Sequence, residues 1–334
     1  MKVKYLIYIL LSVISLSSCD KLTSGLNPLN SPISNFNFLW NEVNNKYSYH
    51  MEKGVDWDAI YKRYVLKINN EMTDKELFNV LADMLNELKD GHVNLSSSFD
   101  RSKYWNWFQD YPLNFNKNII YSNYFGTHFQ VTGPFHNKII DSVLYVYYES
   151  FANNITKKNI DEIIIKSKEL KGIIIDIRNN GGGSSLNADA LAAAFAKSRY
   201  IYAYSRMKNG IKKDEFTEWK PLYVNPRLGD RYIGKLVVIC NRSTYSAANL
   251  FAQMMKVRPN TILIGNRTGG GGGTPLYGEM PNGWIYRLSV TQTINPEGEH
   301  IENGIDVDDV LDMTVEDELK GKDTILEKAL TLFN

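Results

Sequence analysis

The sequence predicts an α/β chain in which a small helical unit precedes short buried strands alternating with helices. Two patterns carry that prediction. Apolar residues recur at helical spacing in Phe36–Tyr47, Trp57–Ile68 and Asp74–Leu88. From Val143 onward, short apolar runs rich in β-branched residues alternate with helical stretches, as buried strands and their crossovers do. A third feature organises the rest: Lys235–Cys240 reads as a buried strand, Asn241–Thr244 as a turn, and the residues from Tyr245 as a helix.

Met1–Lys4 is basic and Tyr5–Leu16 is an apolar run too short for a stop-transfer helix. With Leu16-Ser17-Ser18-Cys19 behind it, residues 1–19 resemble a bacterial lipoprotein signal that leaves Cys19 as the acylated first residue. The expected location is the cell envelope, with the chain lipid-anchored to a membrane. Residues 20–35 are rich in Ser, Asn, Pro and Gly and read as a tether. Residues 36–96 form the helical domain. Thr73 and Glu76 have capping-box spacing at the start of its third helix. It ends at Lys89-Asp90-Gly91-His92, where Gly91 is expected to take a positive φ and re-aim the chain.

Residues 97–334 make the core domain. Its first part, 97–140, is a poorly assigned insert crowded with aromatics, among them Tyr104, Trp105, Trp107, Phe108, Tyr111, Tyr121, Tyr124, Phe125 and Phe135. Several short strands are expected there; the aromatics read first as core, with exposure beside a groove as the alternative. Then come a strand at Val143–Tyr148, a helix at Asn159–Leu170, a strand at Gly172–Ile177 and an alanine-rich helix at Asn187–Lys197. A polar stretch runs to Tyr232. The strand–turn–helix follows, then a strand at Thr261–Ile264, strands near Trp284–Thr293 and a closing helix at Thr324–Phe333.

The net charge is +1, and losing Lys2 and Lys4 with the leader leaves 36 basic against 37 acidic residues, or −1. That balance gives no electrostatic case for nucleic acid. Once Cys19 is acylated, Cys240 has no intramolecular partner and reads as a buried thiol in its strand. Gly181–Gly183 stands between a strand and a helix but lacks the dinucleotide spacing, and neither it nor Gly269–Gly273 carries a phosphate-loop lysine. The five histidines form no zinc motif. No cofactor and no metal is expected.

Ser246 falls at the first turn of a helix after a buried strand, beside free N–H groups and the positive end of the helix dipole. A serine nucleophile needs that position because its tetrahedral intermediate carries an oxyanion; Ser243, Thr244 and Ser246 also suit helix caps. Gly181–Gly183 can bring backbone N–H groups close to a carbonyl. His92 is a candidate base, and Glu302 is among the candidate acids.

These segments together are more specific than any one. Asp90–His92, Ile175–Ser185, Val237–Ala252, Ile264–Gly271 and Ile301–Asp309, in that order, resemble the S41 serine peptidases, which include the tail-specific processing proteases and the tricorn core peptidase. The resemblance runs from about Phe36 to the end, apart from Ser97–Ile140. It implies a crotonase/ClpP-like ββα spiral catalytic core preceded by a small helical domain. It also implies roles: Ser246 the nucleophile, His92 the base, Glu302 the acid, and the N–H groups of Ala247 and Gly182 or a neighbouring glycine the oxyanion hole.

This sequence departs from the family pattern in four places. The lysine of the Ser–Lys branch, about 25 residues past the nucleophile, would fall in Gly269–Gly273, where there is none. Lys256 lies about three turns along the same helix and should point away. Gly91 stands where the tricorn branch has a serine, and Val307 where a proline is usual. Between Leu95 and Val143 there is too little chain for a complete peptide-binding PDZ module of roughly 80–100 residues. The expected function is a serine endopeptidase acting through Ser246, His92 and Glu302 on a polypeptide substrate. The alternative is a non-catalytic binder of hydrophobic ligands or peptides on the same scaffold; acyl-CoA chemistry is a weaker third reading.

Overall fold

The computed structural model describes residues 30–104, 109 and 111–334. The leader with Cys19, most of the tether, and Trp105, Trp107 and Phe108 lie outside the described residues.

A seven-stranded sheet forms the centre, in the order Asp309–Val310, Thr261–Gly265, Leu236–Cys240, Gly172–Asp176, Val143–Tyr148, Phe135–Ile140 and Gln130–Thr132. The first five strands are mutually parallel and the last two close the edge as an antiparallel hairpin. Every residue of Gly172–Asp176 and Leu236–Cys240 is buried, which is why these strands read as unbroken apolar runs. Alternate residues serve opposite faces. Leu144, Ile173, Ile175, Val238 and Leu263 pack beneath the helices Lys157–Ser167, Ser185–Phe195 and Ala247–Lys256. Tyr145, Ile174, Val237, Ile239 and Ile264 meet the closing helix Thr324–Thr331 and the segment Lys117–Phe125.

Many aromatics of residues 97–140 are core, as their first reading had it, and several belong to this second layer. Phe125 and Phe135 are fully enclosed and Tyr124 nearly so. Tyr111 remains exposed. Among its described residues the insert holds three short strands, at Arg101–Lys103, Gln130–Thr132 and Phe135–Ile140, but its Ile120–Phe125 stretch is π-helical.

Four expectations are corrected. The tether does not reach residue 35: a helix begins at Pro32, capped by Ser31, with Asn35 and Phe36 already buried. The proline that suggested a linker instead occupies the first helical position, where its missing N–H costs nothing. The polar stretch before Tyr232 contains strands Tyr200–Met207 and Lys220–Val224, hidden from the sequence because a register shift between Ile201 and Ala203 breaks the two-residue alternation. Lys89, not Gly91, takes the positive φ at the end of the helical unit. Finally, the helical unit does not close its own core. Leu39, Trp57, Leu81 and Leu85 share one apolar cluster with Met280, Trp284, Tyr286 and Leu288. Strand Asn94–Ser96 pairs with Ile285–Arg287, so a boundary at 96 cuts through a sheet.

Candidate active site

Ser246, His92 and the glycine turns meet where the parallel strands end. Gly172–Asp176 runs into Arg178–Gly183, and Leu236–Cys240 into Asn241–Ser246. Carboxyl ends of neighbouring parallel strands are where open α/β sheets place ligands.

The first turn is fixed from below. Arg178 is fully buried; its Nε and Nη2 grip Asp176, with the shortest contact 2.6 Å, and its Nη1 lies 2.9 Å from Asp323. Two carboxylates on one guanidinium satisfy its charge and lock its plane. Asn180 continues the anchoring, donating from Nδ2 to Tyr148 O at 2.9 Å and accepting at Oδ1 from Gly182 N at 3.0 Å.

The second turn carries Ser246. Thr244 Oγ1 accepts from Asn241 N and donates to Ile177 O, stapling the turn to the preceding strand. Tyr245 N donates to Asn180 O, and Ser246 N to Gly270 O at 2.8 Å. Held from both sides, Ser246 adopts φ 58° and ψ −121°, a region a side-chain-bearing residue enters at a cost of about 1–3 kcal/mol. Its hydroxyl caps nothing. It lies 2.9 Å from His92 Nε2. Ala247 opens the helix, and its N–H has no intrahelical partner.

Gly182 faces this N–H. A Cβ there would stand 2.8 Å from Ala247 N and 2.8 Å from Ser246 Cβ, so only glycine leaves the space beside Ser246 open. Its own N–H is directed to Asn180, so Gly182 contributes clearance more directly than a free donor.

His92 is positioned through its backbone. Asp90 Oδ1 accepts His92 N at 2.7 Å, while Asp90 Oδ2 accepts from Tyr47 and Ser289, each at 3.0 Å. The ring is buried, and burial pushes its pKa down to about 4 against the pull of Asp90; Arg287, Lys103 and Lys53 add to the lowering. At neutral pH the imidazole is therefore uncharged and able to accept a proton. Its Nδ1 has no hydrogen-bond partner among the described residues.

Glu302 lies in the same layer but does not hold that nitrogen. Its carboxylate pairs with Lys53 at 3.0 Å and accepts from Gly273 N at 3.3 Å. Burial raises its pKa to about 7, with Lys53 opposing and Asp90 reinforcing the rise. The glycine run at 269–273 is the spacer between Glu302 and the nucleophile turn. Gly271 N donates to Glu302 O, and a Cβ on Gly270 would fall 1.9 Å from that same oxygen. Lys256 pairs with Asp308, away from Ser246.

Sequence reasoning missed Lys53 and the anchoring work of Arg178, Asn180 and Asp323. Asp176 and Arg178 stood inside a motif already noted; Lys53, in a short polar loop, carried no signal.

Residues 142–311 match the profile of peptidase family S41. The chain belongs to peptidase family S41. Residues 30–86 match the tricorn protease C1 domain, the helical unit described above. A crystal structure of a candidate peptidase from Parabacteroides merdae is 42% identical, covers 91% of this chain and 97% of that one, and superposes with a TM-score of 0.86. The carboxy-terminal processing protease CtpA of Bacillus subtilis is 29% identical over 46% of this S41 chain and 31% of its own length. A tricorn protease homolog of Saccharolobus solfataricus is 28% identical over 48% of this chain and 14% of its own length. This S41 chain thus matches a third or less of the length of these two relatives.

Proposed function

We propose that this S41 chain is a serine endopeptidase that cleaves polypeptides at Ser246. The observation that carries the reading is the 2.9 Å contact between Ser246 Oγ and an uncharged, buried His92 Nε2 at a strained helix start.

Ser246 Oγ attacks the carbonyl of an extended peptide and passes its proton to His92 Nε2. The oxyanion forms beside Ala247 N–H, with a neighbour of Gly182 in the glycine turn providing the second donor, since the Gly182 N–H is held by Asn180. His92 then protonates the leaving amine, and water repeats the sequence on the acyl-enzyme. Glu302, kept in the same buried layer, stabilises the imidazolium by its charge. The aromatics between Tyr104 and Phe135 motivate the hydrophobic-carrier reading, and the burial of Tyr124, Phe125 and Phe135 weakens it. Labelling by a fluorophosphonate probe tests the proposal: wild type should label and Ser246→Ala should not, and equal labelling of the two would refute it.

We also propose a membrane tether through acylated Cys19. Among the described residues no helix is long and apolar enough to cross a membrane. Incorporation of an alkyne fatty acid by wild type, lost in Cys19→Ala, would support the tether; equal incorporation would exclude it.

A further inference from the structure

Lys53 sits on a tight turn between the first two helices, far in sequence from Asp90, His92, Ser246 and Glu302. Its side chain enters the buried layer behind the dyad, with Nζ 3.0 Å from Glu302 Oε1, 3.9 Å from Asp90 Oδ2 and 3.1 Å from Lys89 O. Tyr47, Tyr49 and Tyr245 wall the same layer, each carrying a buried hydroxyl that feels Glu302. The other charged or titratable neighbours are Asp90 and His92, with Arg287, Lys103, Glu52 and Tyr104 also acting on the layer. Lys53 is thus the one cation paired with both Asp90 and Glu302 among the described residues.

We propose that Lys53 is a positioning residue that holds Glu302 as a carboxylate and so makes the helical unit a determinant of catalytic competence. This rests on the serine-peptidase reading above. Two carboxylates in one low-dielectric layer cannot both stay ionised without a cation. Asp90 already has three donors, so its charge is the better satisfied of the two. Glu302 has only Lys53 and one long backbone contact, and it takes the proton when Lys53 is removed. Lys53 stays charged: burial alone would lower its pKa, but Asp90 and Glu302 together raise it. The imidazolium formed during acylation then loses the negative charge that stabilises it. Lys53 also lines a cleft of about 490 Å³ bordered by Glu52, Asp56, Arg63 and Asn303, which gives a small amine a way in.

The test compares wild type, Lys53→Met, Lys53→Arg and Lys53→Ala, each with and without Glu302→Gln. Carboxylic-acid infrared absorption roughly two pH units above the value of about 7 that Glu302 keeps beside Lys53 reads its protonation without reference to activity. Lys53→Met should gain an acid band that Glu302→Gln removes, and Lys53→Arg should not gain it. In parallel, the acid limb of the fluorophosphonate labelling rate should move up by at least about one pH unit in Lys53→Met. Added methylammonium should move it back in Lys53→Ala. An absent acid band, or a rate lowered by one factor at every pH, would overturn the proposal. If the Met variant fails to fold, the Ala variant gives the same readings without methylammonium and loses them when the amine is added. Failure of wild type to label, with the acid band still following Lys53, would instead sink the peptidase reading and leave the charge relationship standing.

Discussion

Gly182 is packed against Ser246 so closely that a single added methyl group would touch both its Cβ and the N–H of the next residue, each at 2.8 Å. The clearance beside Ser246 is therefore set by a residue with no side chain. It is also the space in which a developing oxyanion would meet Ala247 N–H.

Gly182→Ala should fold, because the turn is anchored independently by Arg178 and Asn180. Its kcat on a cleaved peptide should fall by roughly 10²–10³, the usual cost of a spoiled oxyanion site. Peptide turnover and a thermal melt measured together check this; turnover within about threefold of wild type would refute it.

Ser246 should show a conflict between stability and activity. Its positive φ is strained for a side-chain-bearing residue, and glycine removes that strain. Ser246→Gly should be more stable than Ser246→Ala by about 1 kcal/mol, with both inactive. Urea denaturation of the two variants side by side reads the difference.

Acid should weaken the fold through its buried histidines. His92 and His50 are both held down to about 4 by burial, well below an unfolded histidine near 6.5. Between those values the unfolded chain binds more protons, so stability rises with pH from about 4 to about 6.5, by on the order of 3 kcal/mol for His92 alone. Glu302 acts in the opposite sense. Its carboxyl, raised to about 7, holds a proton in the folded state that the unfolded chain gives up above 4.5, so its contribution is lost as pH rises across that window. Two histidines against one carboxyl leave a net rise. Denaturation midpoints across this range should climb in wild type, more steeply in Glu302→Gln, and less in His92→Phe.

Arg178→Met should be among the most damaging substitutions in the chain. It strands Asp176 and Asp323 in a fully buried layer, at a cost of about 3–5 kcal/mol. Arg178→Lys should recover only part of that, since an ammonium cannot engage both carboxylates through a planar fork. Thermal unfolding of the two variants against wild type decides it.

Much of this architecture was legible in the chain because its causes are local. The apolar runs at Gly172–Asp176 and Leu236–Cys240 announce strands buried on both faces, and Thr73 with Glu76 forms the capping box its spacing promised. Ser246 could be singled out since a strand, a turn and a helix in direct succession leave one position at a helix start. Strand Tyr200–Met207 was illegible because its bulge disturbs the alternation by which strands are recognised. The helical unit read as self-contained because the sequence does not reveal that Trp284 and Leu288 complete its core.

Sequence by itself determined the periodicities, the nucleophile turn and the membership of His92 and Glu302 in a recognisable set of motifs. Which of these groups touch was decided by tertiary structure alone. His92 meets Ser246 across 154 positions, and Glu302 turns to Lys53 rather than to the imidazole. Local propensity acts over a few residues, whereas these meetings depend on the order of strands in a sheet and on which buried charges must share a layer.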